Sequence, residues 1–328
     1  MTPRTRPARR PETGYGTGPG GGARSDASRR RNPMRALILG FLLCLAMPAS
    51  AETLGRGRIF SNDYGGDGKD RWRSGAFTLS VLRGKAWDGA PPAAGGAENP
   101  LLELRFRAEV ITPGRSRDGQ DDRRYAGLLG FGAFGHQSFG PLEGAFGGEI
   151  LAIGPSTGMS DFQERVHETL GFSPPRGVER QFGDGLLLHA QSELAWPLRP
   201  ADVLTLRPFL AAESGSEEIL RAGIDAILGG IGHHDLWLRD PATGQPYRGI
   251  EAETTGLSLV AGLDAALLGD SVFLPDAATL DRRRARIGLH WQPGPEVRLF
   301  YGLTWLSEEF DGQHDSQVLG ALKLEFGY

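Results

Sequence analysis

The segment EVRLFYGLTWLSE, residues 296–308, places a large apolar side chain at every second position, at Leu299, Tyr301, Leu303 and Trp305. Successive side chains of a β-strand point to opposite faces of the sheet, so this period of two predicts a strand with one apolar face. The same pattern closes the sequence, from Leu322 to Tyr328.

Alternating segments of this kind dominate the chain after residue 51. Twelve are predicted: 55–63, 74–86, 101–112, 124–137, 139–152, 184–196, 201–212, 216–230, 253–267, 281–292, 296–308 and 315–328. An even number of strands, each long enough for a tilted membrane span, is typical of outer-membrane barrels. The sequence therefore predicts an all-β transmembrane barrel of about 12 antiparallel strands; a soluble β-sandwich or barrel is the alternative.

The predicted barrel also fixes which connections share an end, because an outer-membrane barrel begins and ends in the periplasm. The connections expected outside are 64–73, 113–123, 153–183, 268–280 and 309–314, and those expected in the periplasm are 138, 197–200, 231–252 and 293–295. Periplasmic turns are normally short. The long connection 231–252 breaks this pattern, and nothing in its residues explains its length.

The N-terminal region has the features of a targeting segment rather than those of barrel strands. Residues 1–33 are rich in Arg, Pro and Gly and predict a disordered basic extension; Met34 is an alternative start that would leave them untranslated. Residues 34–51 have the basic start, short apolar run and A-x-A-like end of a signal peptide. We therefore expect the barrel to comprise residues 52–328.

The charge of the barrel segment disfavours nucleic acid as a partner. Residues 1–51 hold nine arginines and two acidic residues, so the remaining chain has 27 basic and 38 acidic side chains and a net charge of about −11. Nucleic-acid-binding domains are typically basic. The only cysteine, Cys44, lies in the predicted signal peptide, so the barrel has no disulfide.

Hard oxygen donors are predicted at the outer ends of the first two strands. Asn62 and Asp63 end strand 1, and Ser74 begins strand 2. Neighbouring strands can bring such oxygens together around Ca²⁺, which prefers oxygen ligands. Ordinary turn chemistry is the alternative interpretation, because Asn and Asp are common in any hairpin loop.

A short helix is expected in the outer connection 153–183. There Gln163 and His167 are four residues apart and so share one helix face. An amide beside an imidazole can orient the ring toward a water, as a general base requires. A surface histidine on an ordinary helix is the alternative.

The charged loop that follows Thr112 and Pro113 carries Arg115 and Arg117. Their guanidinium groups are candidates to bind phosphate or carbonyl oxygens of a substrate. A solvated loop is the alternative, and this loop alone is weak evidence.

Taken in order, these motifs resemble one known family, the outer-membrane lipid A 3′-O-deacylases. The resemblance is carried by the following stretches: Asn62-Asp63, Asp70-Arg71-Trp72-Arg73-Ser74, Thr112-Pro113, Asp122-Arg123-Arg124-Tyr125-Ala126-Gly127, Ile153-Gly154-Pro155, Gln163 and His167. It implies a twelve-stranded, Ca²⁺-dependent esterase that removes an acyl chain from lipid A in the outer leaflet. It also implies lipopolysaccharide and the outer-membrane insertion machinery as partners.

By position, the resemblance implies His167 as general base, Gln163 as its orienting neighbour, and Asn62, Asp63 and Ser74 as the polar cluster at the metal and oxyanion. The chain departs from the family at Tyr64, where some members have a second Asp, at Ala76 in place of Gly, and in lacking a Lys in the Thr-Pro loop. These departures keep open a non-catalytic barrel, porin-like or only lipid-binding. A phospholipase-type barrel with a serine nucleophile is a second alternative.

Overall fold

The structure, a computed structural model, describes residues 51–96, 100–115, 119–275 and 281–327. The predicted extension 1–33 and the signal peptide up to residue 50 lie outside the described residues, as do Arg117 and Tyr328. Among the described residues, no helix has the length and apolar character needed to cross a bilayer.

The described residues contain fifteen strands and one α-helix. The strands are β1 Glu52–Asn62, β2 Trp72–Gly84, β3 Leu101–Thr112, β4 Ala126–Phe139, β5 Leu142–Ile153, β6 Gly185–Ala195, β7 Leu198–Ala201, β8 Leu204–Ser214, β9 Glu217–Gly229, β10 Leu236–Arg239, β11 Pro246–Ile250, β12 Gly256–Ser271, β13 Asp281–Gly294, β14 Val297–Leu306 and β15 Gln317–Phe326. The helix, α1, is Met159–Leu170.

Twelve of these strands close into an antiparallel barrel. Each pairs with its neighbour in chain order, β1 pairs with β15, and β6 pairs with β8 from Ala190↔Ser214 to Ala195↔Phe209. The predicted fold class is therefore confirmed, and most predicted strand ends lie within three residues of the observed ones. The short strand β7 pairs with β8 beside this closure and adds no wall strand of its own.

Side chains alternate between a polar lumen and an apolar outer face. On β9 the inward residues include Arg221 and Asp225, which are buried, whereas outward Leu220 and Leu228 are about half exposed. In the lumen Arg286 donates to both Asp225 and Asp264. A lumen lined by paired charges and an apolar outer surface is the pattern of a transmembrane barrel.

The connection 231–252, which the sequence left unexplained, folds back into the lumen as the hairpin β10–β11, here called the plug hairpin. Its Tyr247 hydroxyl lies 2.8 Å from Ser80 Oγ on β2, and Asp240 Oδ1 accepts a hydrogen bond of 2.9 Å from Thr78 Oγ1. β1 makes room for it: a Cβ at Gly55 would collide with the carbonyl oxygen of Gly249. The hairpin's length is explained by the lumen that it fills.

The connections expected outside meet at one end of the barrel, which we call the loop end. Here residues 119–125 and the segment that follows α1 are held together by hydrogen bonds. Asp121 accepts from Arg176 and Arg180 at 3.1 and 2.7 Å, and Phe182 N–H donates to Tyr125 O at 3.0 Å. The helix α1 itself packs against β3 and β4.

Candidate active site

A cleft of ≈ 1010 Å³ lies at the loop end between α1 and the outer wall of the barrel. Five of the sequence-predicted site residues line it: Asn62, Asp63, Ser74, Gln163 and His167. The cleft thus lies on the lipid-facing side of the wall, outside the lumen.

The geometry of α1 explains how it presents its two polar residues. Gly158 and Gly171, both in the left-handed region at φ 71° and 72°, bound the helix, a conformation that glycine adopts without steric cost. Gln163 and His167 are buried on one face of the helix, as the spacing of four predicted.

The ring of His167 is held in one orientation. Its Nδ1 lies 2.5 Å from the carbonyl oxygen of Ser173, and a carbonyl only accepts, so Nδ1 carries the proton. Phe172 packs edge-on against the ring at 5.8 Å between centroids. The remaining nitrogen, Nε2, therefore has a free lone pair in the neutral ring, and Asp70 Oδ2 lies 3.8 Å from it.

Asp70 also accepts a hydrogen bond of 3.3 Å from Gln163 Nε2, so one carboxylate contacts both helix residues. The sequence predicted Asp70 only as part of the motif Asp70-Arg71-Trp72-Arg73-Ser74, not as a site residue. Its signal in the sequence was weak, since an Asp in a loop after Gly and Lys reads first as turn chemistry.

Ser74 reaches the cleft through a β-bulge. Strict alternation back from Thr78 and Ala76 would aim Ser74 into the lumen, but the pairing with β3 shifts by one residue between Arg73 and Gly75. Arg73 then points inward to Glu109 at 2.7 Å, while Ser74 Oγ lies 2.6 Å from Thr112 Oγ1 on the outer face. Bulges re-aim side chains in this way next to active sites.

Asn62 and Asp63 are tied to the same backbone. Asn62 Nδ2 donates to Ser74 O at 2.6 Å, and Asp63 N–H donates to it at 3.2 Å. Asp63 is 3 % exposed, and its Oδ2 accepts from Arg71 N–H at 3.2 Å. Burial, together with the charges of Asp70 and Asp67, raises the pKa of Asp63 to about 8.

These oxygens fit a bound Ca²⁺, although no cluster of three or more His, Cys, Asp or Glu side chains suited to a metal occurs in the described residues. The buried Asp63 carboxylate forms no ion pair with any side chain of the described ranges. Gln163 Oε1 is buried and has no hydrogen-bond partner in the part of the chain that the structure describes. A hard cation that takes carboxylate, amide and backbone oxygens would satisfy both.

The rest of the cleft is apolar. The wall contributes Phe60, Phe77, Phe106, Ala108, Val110 and Leu129, and the helix contributes Met159, Phe162, Val166 and Leu170. Phe106 is the β3 lining residue farthest along the strand from the loop end, and its ring packs in a tilted arrangement against Phe131 at 5.0 Å between centroids. At the mouth, Tyr64 is 69 % exposed and packs on Phe172 at 5.1 Å.

Of the two arginines predicted to contact substrate, Arg115 stands apart from this cleft. Arg115 is exposed in the neighbouring loop, where it forms an isolated bridge with Asp121, and it is not among the lining residues. Arg117 lies outside the described residues. Their role in substrate binding stays a prediction.

Comparison with known proteins agrees with this geometry. The family model described as outer membrane protein LpxR matches residues 37–208, which is more than half of the chain. Among solved structures, LpxR from Salmonella typhimurium superposes with a TM-score of 0.65 at 15 % identity, covering 84 % of this chain and 100 % of that chain.

Other barrels are less similar. The translocator domain of the autotransporter NalP from Neisseria meningitidis gives a TM-score of 0.39 at 11 % identity, covering 90 % of this chain and 95 % of that chain. A search of curated proteins found no match. The chain therefore belongs to the LpxR family and is an integral β-barrel of the bacterial outer membrane.

Proposed function

We propose that this protein hydrolyses an ester-linked acyl chain of lipid A in the outer leaflet of the outer membrane. Membership of the LpxR family supports lipid A as the substrate and deacylation as the activity. The observation that carries the proposal is the cleft itself, which joins a polar cluster around His167 to an apolar trough on the lipid-facing wall.

The position of the cleft suits a membrane lipid. Its apolar lining runs down the outer face of β1–β4, where acyl chains of the leaflet contact the barrel, and burying apolar surface there is favourable. The polar residues lie at the loop end, which by strand parity faces the outside. A lipid could thus place its acyl chain in the trough and its ester beside His167.

His167 is proposed to act as general base through Nε2. The bond from Nδ1–H to Ser173 O keeps the lone pair on Nε2, and Asp70 at 3.8 Å stabilises the imidazolium that forms when this atom takes a proton. Nε2 removes a proton from water, and the resulting hydroxide attacks the ester carbonyl carbon. The carbon–oxygen ester bond then breaks, the proton passes from Nε2 to the sugar oxygen, and a fatty acid is released.

Two serines, Ser74 and Ser173, line this cleft, and the surroundings of Ser74 disfavour a nucleophilic role. Its Oγ is hydrogen-bonded to Thr112 Oγ1 at 2.6 Å rather than to a basic side chain, whereas an activated serine needs a base within hydrogen-bonding reach. We propose that the Ser74 hydroxyl and Asn62 belong to the polar cluster at the reacting carbonyl.

We propose Ca²⁺ as the cofactor, held by Asp63 and Asn62 with Gln163 Oε1 as a further oxygen. When bound, the ion supplies positive charge for the oxygen of the ester carbonyl. The protein's own contribution is the buried carboxylate of Asp63, whose position is fixed by the backbone N–H of Arg71.

The filled lumen of the barrel disfavours a porin-like function. The plug hairpin crosses the lumen and is bonded to β2 through Tyr247 and Asp240.

We also expect the outer-membrane insertion machinery to recognise the apolar alternation of β15, which is the predicted C-terminal signal.

Mass spectrometry of lipid A tests the proposal. Cells that produce the protein in the presence of Ca²⁺ should yield lipid A lighter by one acyl chain than cells without it. An unchanged acyl pattern with folded barrel in the outer membrane would favour the non-catalytic alternative. A fluorophosphonate probe should leave the protein unlabelled; labelling would favour the serine enzyme.

A further inference from the structure

Gln317 is the first residue of β15 and contacts the start of β2. The strand β1 lies between these two strands in the barrel wall. The side chain of Gln317 is 2 % exposed and makes three hydrogen bonds to backbone atoms. Nε2 donates to Arg71 O at 2.6 Å and to Arg73 O at 3.2 Å, while Oε1 accepts from Arg73 N–H at 3.2 Å. One side-chain amide thus satisfies backbone groups on both sides of Trp72.

The backbone that this amide holds is strained. Trp72 has φ 55°, and it is the one residue other than glycine with positive φ in the described part of the chain. A bulky side chain in that region is a genuine outlier and persists only when the surroundings impose it. Besides Gln317, the indole N–H donates to Asp122 Oδ2 at 2.9 Å.

The strained segment supplies several groups of the candidate site. Asp70 precedes it and contacts Gln163 and His167. Ser74 follows it, and its carbonyl oxygen accepts from both Asn62 Nδ2 and Asp63 N–H. A shift of residues 71–73 would therefore displace the carboxylate, the hydroxyl and the carbonyl together.

We propose that Gln317 is a positioning residue: its amide holds Arg71–Arg73 in the strained conformation and so aims Asp70 and Ser74 into the cleft. The inference rests on the proposed function of the cleft, and Gln317 itself does not line it. It acts on the reaction only through the segment that it binds.

Two substitutions remove the bonds in different ways. Gln317→Leu removes all three, and Gln317→Glu keeps the shape and the acceptor but loses both N–H donors. Because a misplacement of about 1 Å can lower a rate 10²-fold, we expect kcat for acyl release to fall about 10- to 100-fold, with KM changed less than about threefold. Gln292→Leu is the matched control, since Gln292 is a buried barrel amide whose Oε1 accepts from Arg248 of the plug hairpin.

Relief of the strain gives a readout that a general loss of stability would not move. Glycine adopts φ 55° at no steric cost. In the Trp72→Gly variant the backbone of residues 71–73 therefore depends less on the hydrogen bonds from Gln317 to keep its conformation. In the Trp72→Gly background, Gln317→Leu should lower kcat by a factor at least threefold smaller than in the wild-type background. An equal factor in both backgrounds would overturn the inference.

Crystal structures keep the inference testable whatever the activity. In the Gln317→Leu barrel, Trp72 should leave the left-handed region and Ser74 should be displaced. In the Gln292→Leu barrel, Trp72 should keep its positive φ and Ser74 should keep its position. An unmoved segment overturns the positioning role even in an active enzyme. Absence of acyl release by the wild-type protein instead refutes the proposed function and leaves this structural outcome to decide the role of Gln317.

Discussion

Replacing His167 tests the proposed mechanism most directly. A positioned general base contributes about 10²- to 10⁴-fold to a rate, so His167→Ala should lower kcat for acyl release by that factor. At 1.36 kcal/mol per decade this corresponds to about 3–5 kcal/mol of lost transition-state stabilisation.

The contacts of the ring are too weak to explain such a loss through unfolding. Among the described residues, His167 makes one hydrogen bond, to Ser173 O, one edge-on ring contact, with Phe172, and one contact of 3.8 Å with the Asp70 carboxylate. The hydrogen bond contributes about 1 kcal/mol, the ring contact about 0.5–1.5 kcal/mol, and the partly exposed pair with Asp70 at most about 1 kcal/mol. The barrel itself is held by strand pairing that does not involve α1, so the variant should still insert and fold.

His167→Asn separates the two effects, because the Asn amide can still donate toward Ser173 O but has no basic nitrogen. We expect it to lose as much activity as His167→Ala. His314→Ala is the control: His314 is exposed at the loop end and does not line the cleft, so activity should be unchanged. The assay is mass spectrometry of fatty acid released from purified lipid A. If His167→Asn keeps more than about a tenth of wild-type activity, His167 is not the base.

Three further predictions follow from the site and the lumen. Chelation of Ca²⁺ should abolish acyl release and readdition should restore it, because the buried Asp63 pairs with no cationic side chain among the described residues; activity that survives chelation in a metal-free assay would contradict this. Ser74→Thr should stay within about threefold of wild type, since it keeps the hydroxyl beside Thr112, whereas Ser74→Ala should lose about 10-fold or more; equal activity of the two would contradict a role for the hydroxyl. Replacing residues 233–250 by a short Gly-Ser linker should raise ion conductance in planar bilayers, because the plug hairpin fills the lumen; an unchanged, closed barrel would show that the wall side chains seal it alone.

The sequence predicted the strands of the barrel wall well. The alternation of apolar and polar side chains along a strand shows directly which of its faces contacts lipid. Leu299 and Trp305 on β14 are examples, since their outward positions follow from spacing alone. The plug hairpin was missed because its strands are buried on all sides and do not alternate. A weak signal was nevertheless present: Leu236, Trp237 and Leu238 on one side, and Tyr247 and Ile250 on the other, flank the turn residues Pro241 and Gly244.

The candidate site was predicted in part for a similar reason. Helical spacing placed Gln163 and His167 on one face, and strand ends placed Asn62 near Ser74. Alternation could not show that Ser74 is re-aimed by a bulge, because a bulge is an exception to the pattern that locates strands. Nor could local patterns connect Gln317 with Trp72. The two residues are far apart in the sequence and come together only when β15 pairs with β1.

Closure of the barrel and chemistry on its outer wall are thus physically linked. Without the pairing of β1 with β15, Gln317 would not reach Arg71 and Arg73, and the strained backbone at Trp72 would relax toward the regular strand that its sequence prefers. Ser74 would then follow the alternation into the lumen, away from the lipid. On the proposed roles of Gln317 and of the cleft, the site forms only when the barrel closes, so incompletely assembled chains should not release acyl chains before the last strand is in place.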